Sequence, residues 1–365
     1  MIPLQKVKRL LEIPEPHRSG MVRRILEARF PKCAVRRSAR YREELNARAV
    51  QRKGDGGRRY LLATAHRTAG IGHALSEYNG GLLMARGFDL EFLHSSLASP
   101  WEEFLGFGSG YTIAEPFWRQ ENFELVRLPR VDWKAGDPVE ELRTDVDSIR
   151  SSGNLLFVPF DGQNSFVQHT TGPELRKVYW SYTQRPGVKV LRELGCLNVA
   201  VHIRRRNAMD MKNPSVHDTS GAEYQARYLD LEYFEILMQS ILTALPDEGV
   251  VFHIFSQGTP DGFEPLLRFG DVRLHLDVDQ YNTFHNMACA DVIITSPSSF
   301  SYKAGMLNPG LKLTRYPWWH EVPQDDEWCR IPEDPAASQT EIIDFLKRNR
   351  PPAMERARKL LPFEL

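Results

Sequence analysis

From Cys196 onward apolar strands alternate with helical segments, and this alternation restricts the fold more than any other feature of the chain. Leu197 to Ile203, Val250 to Phe255, Val272 to Leu276, Val292 to Thr295 and Leu311 to Arg315 read as strands. Between them Leu229 to Leu245, Gly262 to Phe269, Tyr281 to Ala290 and a segment from about Ser301 read as helices. Strands joined through helices must run parallel, and a parallel sheet needs helices over both faces. The first strand, in the stretch NVAVHIRRRN from Asn198 to Asn207, is apolar and β-branched and then breaks into three arginines. A buried strand of this kind delivers its cations to the carboxyl edge of the sheet, where α/β proteins bind ligands.

The amino-terminal half repeats the pattern less cleanly. Arg59 to Thr64 reads as a strand, Ala69 to His73 (AGIGH) as a glycine loop, Ala74 to Arg86 as a helix and Asp89 to His94 as a strand. Gly70 and Gly72 leave room for an anion or a sugar hydroxyl to approach the backbone at the helix start, with His73 beside them. The full dinucleotide fingerprint is absent, because Leu75 stands where its third glycine would be. From Ser95 to Gln168 aromatic residues are dense, with strand-like runs at Phe123 to Leu128 and Asn154 to Phe160 and a helix near Val139 to Ile149. Tryptophans such as Trp101 either stack on sugar rings or are buried. A helix from Pro173 to about Gln184 precedes Arg185-Pro186-Gly187, which punctuates the chain before the second domain. The expected domains are a basic helical arm over 1–57, a first Rossmann-like domain over 58–195, a second Rossmann domain over 196–338, and carboxyl-terminal helices over 339–365 packing back.

The 47 basic and 47 acidic residues balance overall but not locally. Up to Arg59 there are seventeen Lys or Arg against six Asp or Glu, a net of +11, offset by −11 in the remainder. Such an arm suits peripheral contact with an anionic membrane surface or nucleic acid, or forms solvated helix faces. The four cysteines are scattered and suggest neither a disulfide framework nor a zinc site. With no apolar stretch of membrane-spanning length, a cytoplasmic and possibly membrane-associated protein is expected.

Three polar groups fall at the carboxyl ends of the second half's strands: Arg204 and Arg205, Asp277 and Asp279, and the segment SPSSFS from Ser296 to Ser301. Arginines and a serine-rich helix start can hold a pyrophosphate, while a carboxylate can accept from the N1 and exocyclic amino donors of guanine. A nucleotide satisfies all three.

His202-Ile203-Arg204-Arg205 resembles the HxRR motif of the GDP-fucose-dependent fucosyltransferases that make α1,2, α1,6 and protein O-linked bonds. Asp279 to Leu307 is similar to the acidic residue, helix, strand, SSFS and helix of the α1,2 branch, and Ala69 to Ala85 to the glycine loop and helix of the same group. Together these motifs cover roughly residues 60 to 315. The resemblance implies a GT-B-like α/β fold of two facing Rossmann-type domains with parallel sheets. It also implies GDP-fucose as donor, a glycan or glycoconjugate acceptor, inversion at the anomeric carbon, and no cofactor or obligatory metal. By motif Arg204 holds the β-phosphate, Arg205 assists the phosphates or the structure, and His202 contacts the nucleotide. Ser298 and Ser299, with Phe300 between the serines of SSFS, complete the cradle. Asp277 is the first choice for guanine and Asp279 the second.

The chain departs from the motif at Arg206 and Asn207, where a carboxylate is usual. Asp210 is the nearest substitute base, with Asp218 and Glu223 further along. Asp145-Val146-Asp147 and Asp277-Val278-Asp279 match the DxD pattern of metal-dependent glycosyltransferases of another fold, but a helical Asp145 would point its carboxylate away from Asp147. A GT-B enzyme using another nucleotide sugar, a catalytically silent binding protein of the same fold, and nucleic-acid binding through the basic arm remain as rivals; the last leaves the carboxyl-half motifs unexplained.

Overall fold

The computed structural model describes residues 57–63, 70–97, 100–114, 123–129, 138–159, 167–182, 185, 187–205 and 228–360. The chain divides into two compact units, Met1–Thr171 and Gly172–Leu365. Both are α/β, and each is built on a wholly parallel sheet.

The described part of the first unit runs β1 (Arg59–Leu62), α1 (Ile71–Gly87), β2 (Glu91–His94), α2 (Trp101–Leu105), β3 (Thr112–Ile113), β4 (Phe123–Arg127), α3 (Pro138–Ser148) and β5 (Asn154–Val158). The strand order is β3-β2-β1-β5-β4. Tyr60, Leu62, Leu93, Leu156 and Val158 form its core on one face. Helix α1 lies close over β1 because Gly81 has no side chain: a β-carbon there would stand 2.1 Å from that of Ala63. Trp101 is buried and meets Phe104 edge-on, so this tryptophan belongs to the core.

The second unit runs α4 (Gly172–Ser181), β6 (Leu197–His202), α5 (Leu231–Ala244), β7 (Val250–Ser256), β8 (Asp271–Leu276), α6 (Gln280–Cys289), β9 (Val292–Thr295), α7 (Ser299–Leu307), β10 (Leu311–Arg315), β11 (Trp328–Ile331) and α8 (Gln339–Leu360). The order β11-β10-β9-β6-β7-β8 is the Rossmann order, in which the chain builds outward from β6 to β8, then returns to the middle and builds outward from β9 to β11. The reversal falls between β6 and β9. Alternation on the strands decides which helix covers which face. Val199 and Val201 pack with Phe234, Leu237 and Ile241 of α5 and Ile342, Phe345 and Leu346 of α8. Asn198 and Ala200 point oppositely and line a small cavity with Asn286 and Cys289 of α6.

The division between Thr171 and Gly172 falls before α4, whereas the sequence reading places it at 195/196. The reason is that α4 is bonded into the second unit. Arg176 forks onto Glu327 at 3.0 and 2.7 Å, Trp180 donates to the Leu307 carbonyl at 2.8 Å, and the Tyr179 hydroxyl meets His285 at 2.7 Å. Glu327 also receives the fully buried Lys312 at 2.6 Å. Burial alone would raise the Glu327 carboxyl, but these cations outweigh it and hold it at about 2. The tail forms one helix, α8, packed on α5, β10 and β11 of the second unit. β11 and the short β3 extend the two sheets by strands not foreseen from the sequence.

Asp291, nearly inaccessible, receives Arg192 at 2.9 and 3.0 Å and the Asn198 amide at 2.8 Å. This pair ties the segment before β6 to the turn before β9. Replacing Asp291 by Ala strands the Arg192 cation in the interior, so urea denaturation should show a loss of about 3–5 kcal/mol. Breaking an exposed pair such as Glu355–Lys359 should change stability far less in the same assay.

Candidate active site

The carboxyl ends of β6 and β9 lie side by side at the reversal of strand order, where an open α/β sheet parts its loops and leaves a crevice. Two serines fix the exit of β6. Ser296, just past β9, donates its hydroxyl to the His202 carbonyl and accepts the Arg204 amide at 2.9 Å. Ser256, at the end of β7, donates to the Ile203 carbonyl at 2.8 Å. Both flanking strands therefore hold the backbone that presents His202 and Arg204.

The Arg204 Nε is buried and has no hydrogen-bond partner among the described residues. The His202 Nδ1 is in the same condition, and its ring lies 5.9 Å from that of Phe300. Burial, with the Arg204 charge added, pushes the His202 imidazole down to about 3. Phe300 is wedged between His202 and Phe284, 5.5 Å from the latter, so it shapes the floor of the site. Ser298 is the N-cap of α7 but gives its helix no side-chain cap, which leaves the first-turn amides unserved by it. An uncapped helix start, three residues after the serine that holds the Arg204 backbone, suits an anion. Helix α7 begins at Ser299, earlier than the expected start near Ser301, which brings Ser299 into the first turn.

Arg205 points elsewhere. Its guanidinium lies 3.8 Å from the centre of the Phe263 ring and donates to the Asp261 carbonyl at 3.4 Å, which fits the structural half of its expected role. The two aspartates also separate. Asp279 caps α6, accepting from Tyr281 and Asn282 amides at 3.0 Å and from the Asn282 side chain at 2.6 Å. Burial tends to raise its carboxyl, but these donors hold it below the usual range. Asp277 is exposed, adopts a left-handed backbone (φ 52°) and accepts only from the Gly258 amide, at 3.2 Å, among its described hydrogen bonds. It stands at the end of β8, two strands from β6, or roughly 10 Å away at the usual strand spacing. Asp277 thus keeps acceptor capacity that Asp279 has used.

In the first unit the glycine segment is not a loop. Gly70 is the N-cap of α1, while Gly72 and His73 lie in its first turn, Gly72 buried and His73 exposed. Glycine in a first helical turn looks the same in sequence as glycine in a loop. Asp145 and Asp147 are helical, and Asp147 pairs with Arg59 at 3.6 Å. Among the described residues no cluster of three or more His, Cys, Asp or Glu is arranged for a metal, and no helix is long and apolar enough to cross a membrane. Asp210, Asp218, Glu223 and residues 1–56 of the basic arm lie outside the described residues.

Sequence reasoning missed two clusters. Tyr78, His94 and Glu102 are linked at 2.9 and 2.8 Å at the end of β2, but both ring nitrogens of His94 are engaged and the ring is fully enclosed, so this group braces the loop. The other is His320, whose Nε2 lies 2.9 Å from the Ser299 hydroxyl. Its only signal was the aromatic run Trp318-Trp319-His320 after a strand.

No protein-family model matches the sequence, and a search of curated proteins finds no match. Among solved structures the chain is similar to POFUT1 in complex with GDP-fucose, at 13% identity over 71% of this chain and 96% of that one, TM-score 0.33. It is similar to the fucosyltransferase NodZ from Bradyrhizobium at 14% identity, over 70% of this chain and 95% of that one, TM-score 0.35. For the E. coli heptosyltransferase WaaC with ADP the values are 14%, 82%, 99% and 0.36. Scores this low leave the functional reading to the residues themselves.

The half-buried, uncharged His202 makes a pH prediction. Below about pH 6.5 the unfolded chain takes up a proton here that the folded chain refuses until about pH 3, so this group lowers stability as pH falls through that window. Substituting Gln removes the contribution. Urea-derived stability of His202→Gln should therefore decline less steeply than wild type between about pH 6 and pH 4.

Proposed function

We propose that the second unit binds a nucleoside-diphosphate sugar at the β6/β9 crevice and that the protein is a glycosyltransferase. The observation that carries this reading is the anchoring of the Arg204 backbone amide by Ser296, three residues before the uncapped start of α7, at the reversal of strand order. The diphosphate lies across these groups, and the base extends along the sheet edge toward Asp277. As the glycosidic bond to the leaving diphosphate breaks, negative charge grows on the leaving oxygen. A fixed guanidinium and helix-start amides stabilise that charge without reorganising.

GDP-fucose is the donor we favour, on the resemblance of His202 to Arg205 and of the SSFS segment to the fucosyltransferase motifs and on the free acceptor capacity of Asp277 for guanine. Transfer to a hydroxyl of a glycan or glycoconjugate proceeds with inversion, and Asp210 is the proposed base. Arginine supplies the charge that a metal would otherwise bring, so the reading includes no obligatory metal. The silent-binding alternative rests on Asn207 in place of a carboxylate, and it predicts nucleotide binding with no fucose transfer to any acceptor.

Calorimetric titration with GDP, GDP-fucose, GDP-mannose, UDP and ADP, with and without a chelator, tests this. Guanine nucleotides should bind selectively and without regard to chelator. Hydrogen bonds to a charged phosphate contribute roughly 1.5–3 kcal/mol, so Arg204→Ala should weaken GDP by about tenfold to a hundredfold. Arg205→Ala, which removes a group stacked on Phe263, should change GDP affinity little. Selectivity for another base would discard the GDP-fucose assignment, and an unaltered affinity in Arg204→Ala would discard the site.

A further inference from the structure

The loop between β10 and β11 reaches back to the start of α7 and brings His320 against Ser299. Several contacts leave this imidazole no freedom to swing. It is 2% exposed, lies nearly parallel to Tyr302 at 4.6 Å, and meets Trp318 edge-on at 4.9 Å. The loop itself is anchored. The Tyr302 hydroxyl donates to the Glu321 carbonyl at 2.7 Å, and Arg330 bonds both the Val322 carbonyl at 2.8 Å and the Glu321 carboxylate at 3.0 Å.

A serine hydroxyl has one proton, and where that proton points decides whether the group attracts or repels an anion. If Ser299 donated to His320, its lone pairs would face whatever binds at the helix start. If the His320 Nε2–H donates to the Ser299 oxygen, the serine proton is turned outward. We propose that His320 is a positioning residue of the donor site, holding the Ser299 hydroxyl as a donor to the diphosphate. This rests on the donor-site reading above. An anion at the uncapped start of α7 favours this arrangement, and the clamped ring holds Nε2 beside the serine oxygen before the ligand arrives, so the imidazole need not be ordered on binding. The neutral imidazole suffices, because the proton it needs is on Nε2 and no charge is required of it.

The test compares wild type, Ser299→Ala, His320→Leu, His320→Gln and the Ser299→Ala/His320→Leu double variant. GDP is titrated calorimetrically and guanosine is measured by its displacement of GDP. Loss of one neutral hydrogen bond should weaken GDP about threefold to tenfold in His320→Leu. Guanosine, which has no phosphate, should bind unchanged. The double variant should lose no more than Ser299→Ala alone, because both substitutions break the same arrangement. Gln carries an amide donor that can reach the same oxygen, so His320→Gln should recover most of the affinity. The proposal is overturned by equal losses for GDP and guanosine, by additive losses in the double variant, or by wild-type GDP affinity in His320→Leu. If GDP does not bind wild type, or binds with Arg204→Ala unaffected, the donor-site reading itself fails, which is a different pattern from these three.

Discussion

A strand buried on both faces has to end with its backbone hydrogen bonds satisfied and its charged side chains released at the edge of the sheet. In β6 the Ser296 and Ser256 hydroxyls meet this demand, bonding the backbone of His202, Ile203 and Arg204 from the two neighbouring strands. Once that exit is fixed, the place of Arg204 follows, and with it the relation of its guanidinium to α7. The Rossmann order then sets the geometry: β6 and β9 are adjacent only because the chain reverses direction between them, the place where open α/β sheets bind ligands.

The second unit treats charge in two ways. In its interior, ions are paired closely: Asp291 with Arg192, and Glu327 with Arg176 and Lys312. Burying these groups is tolerated because each has a partner and further hydrogen bonds. At the β6 edge the Arg204 Nε is equally enclosed but has no acceptor. Arg192, Arg350 and Arg356 also carry one such buried nitrogen, but each has an ion-pair partner through its other nitrogens, whereas no ion pair is described for Arg204. The contrast between Asp279, consumed by its helix cap, and Asp277, held in a strained left-handed turn with one described amide donor, has the same character.

The repeating elements were legible in the sequence because strands such as Leu197–His202 and helices such as Leu231–Ala244 carry strong periodic patterns. The motif residues His202, Arg204 and Ser298 were legible because they fall directly at strand or helix ends. What escaped depends on contacts between distant residues. Arg176 belongs to the second unit through Glu327, 151 positions away, and no local composition signals that bond. His320 reaches Ser299 across a strand and a loop, in a run of aromatics with no period. β11, WCRI, is short and only partly apolar, and it forms a strand because it pairs with β10. Asp279, the second choice for guanine, caps α6, a use that an acidic residue before a helix suits equally well.

The carboxyl ends of β6 and β9 are proposed to hold a diphosphate. A crystal structure of the protein with GDP would test it most directly. The β-phosphate is predicted within hydrogen-bonding distance of the Arg204 side chain and the first-turn amides of α7, with the base lying toward Asp277. A nucleotide found instead at the start of α1, or with its phosphates away from Arg204, would contradict the account.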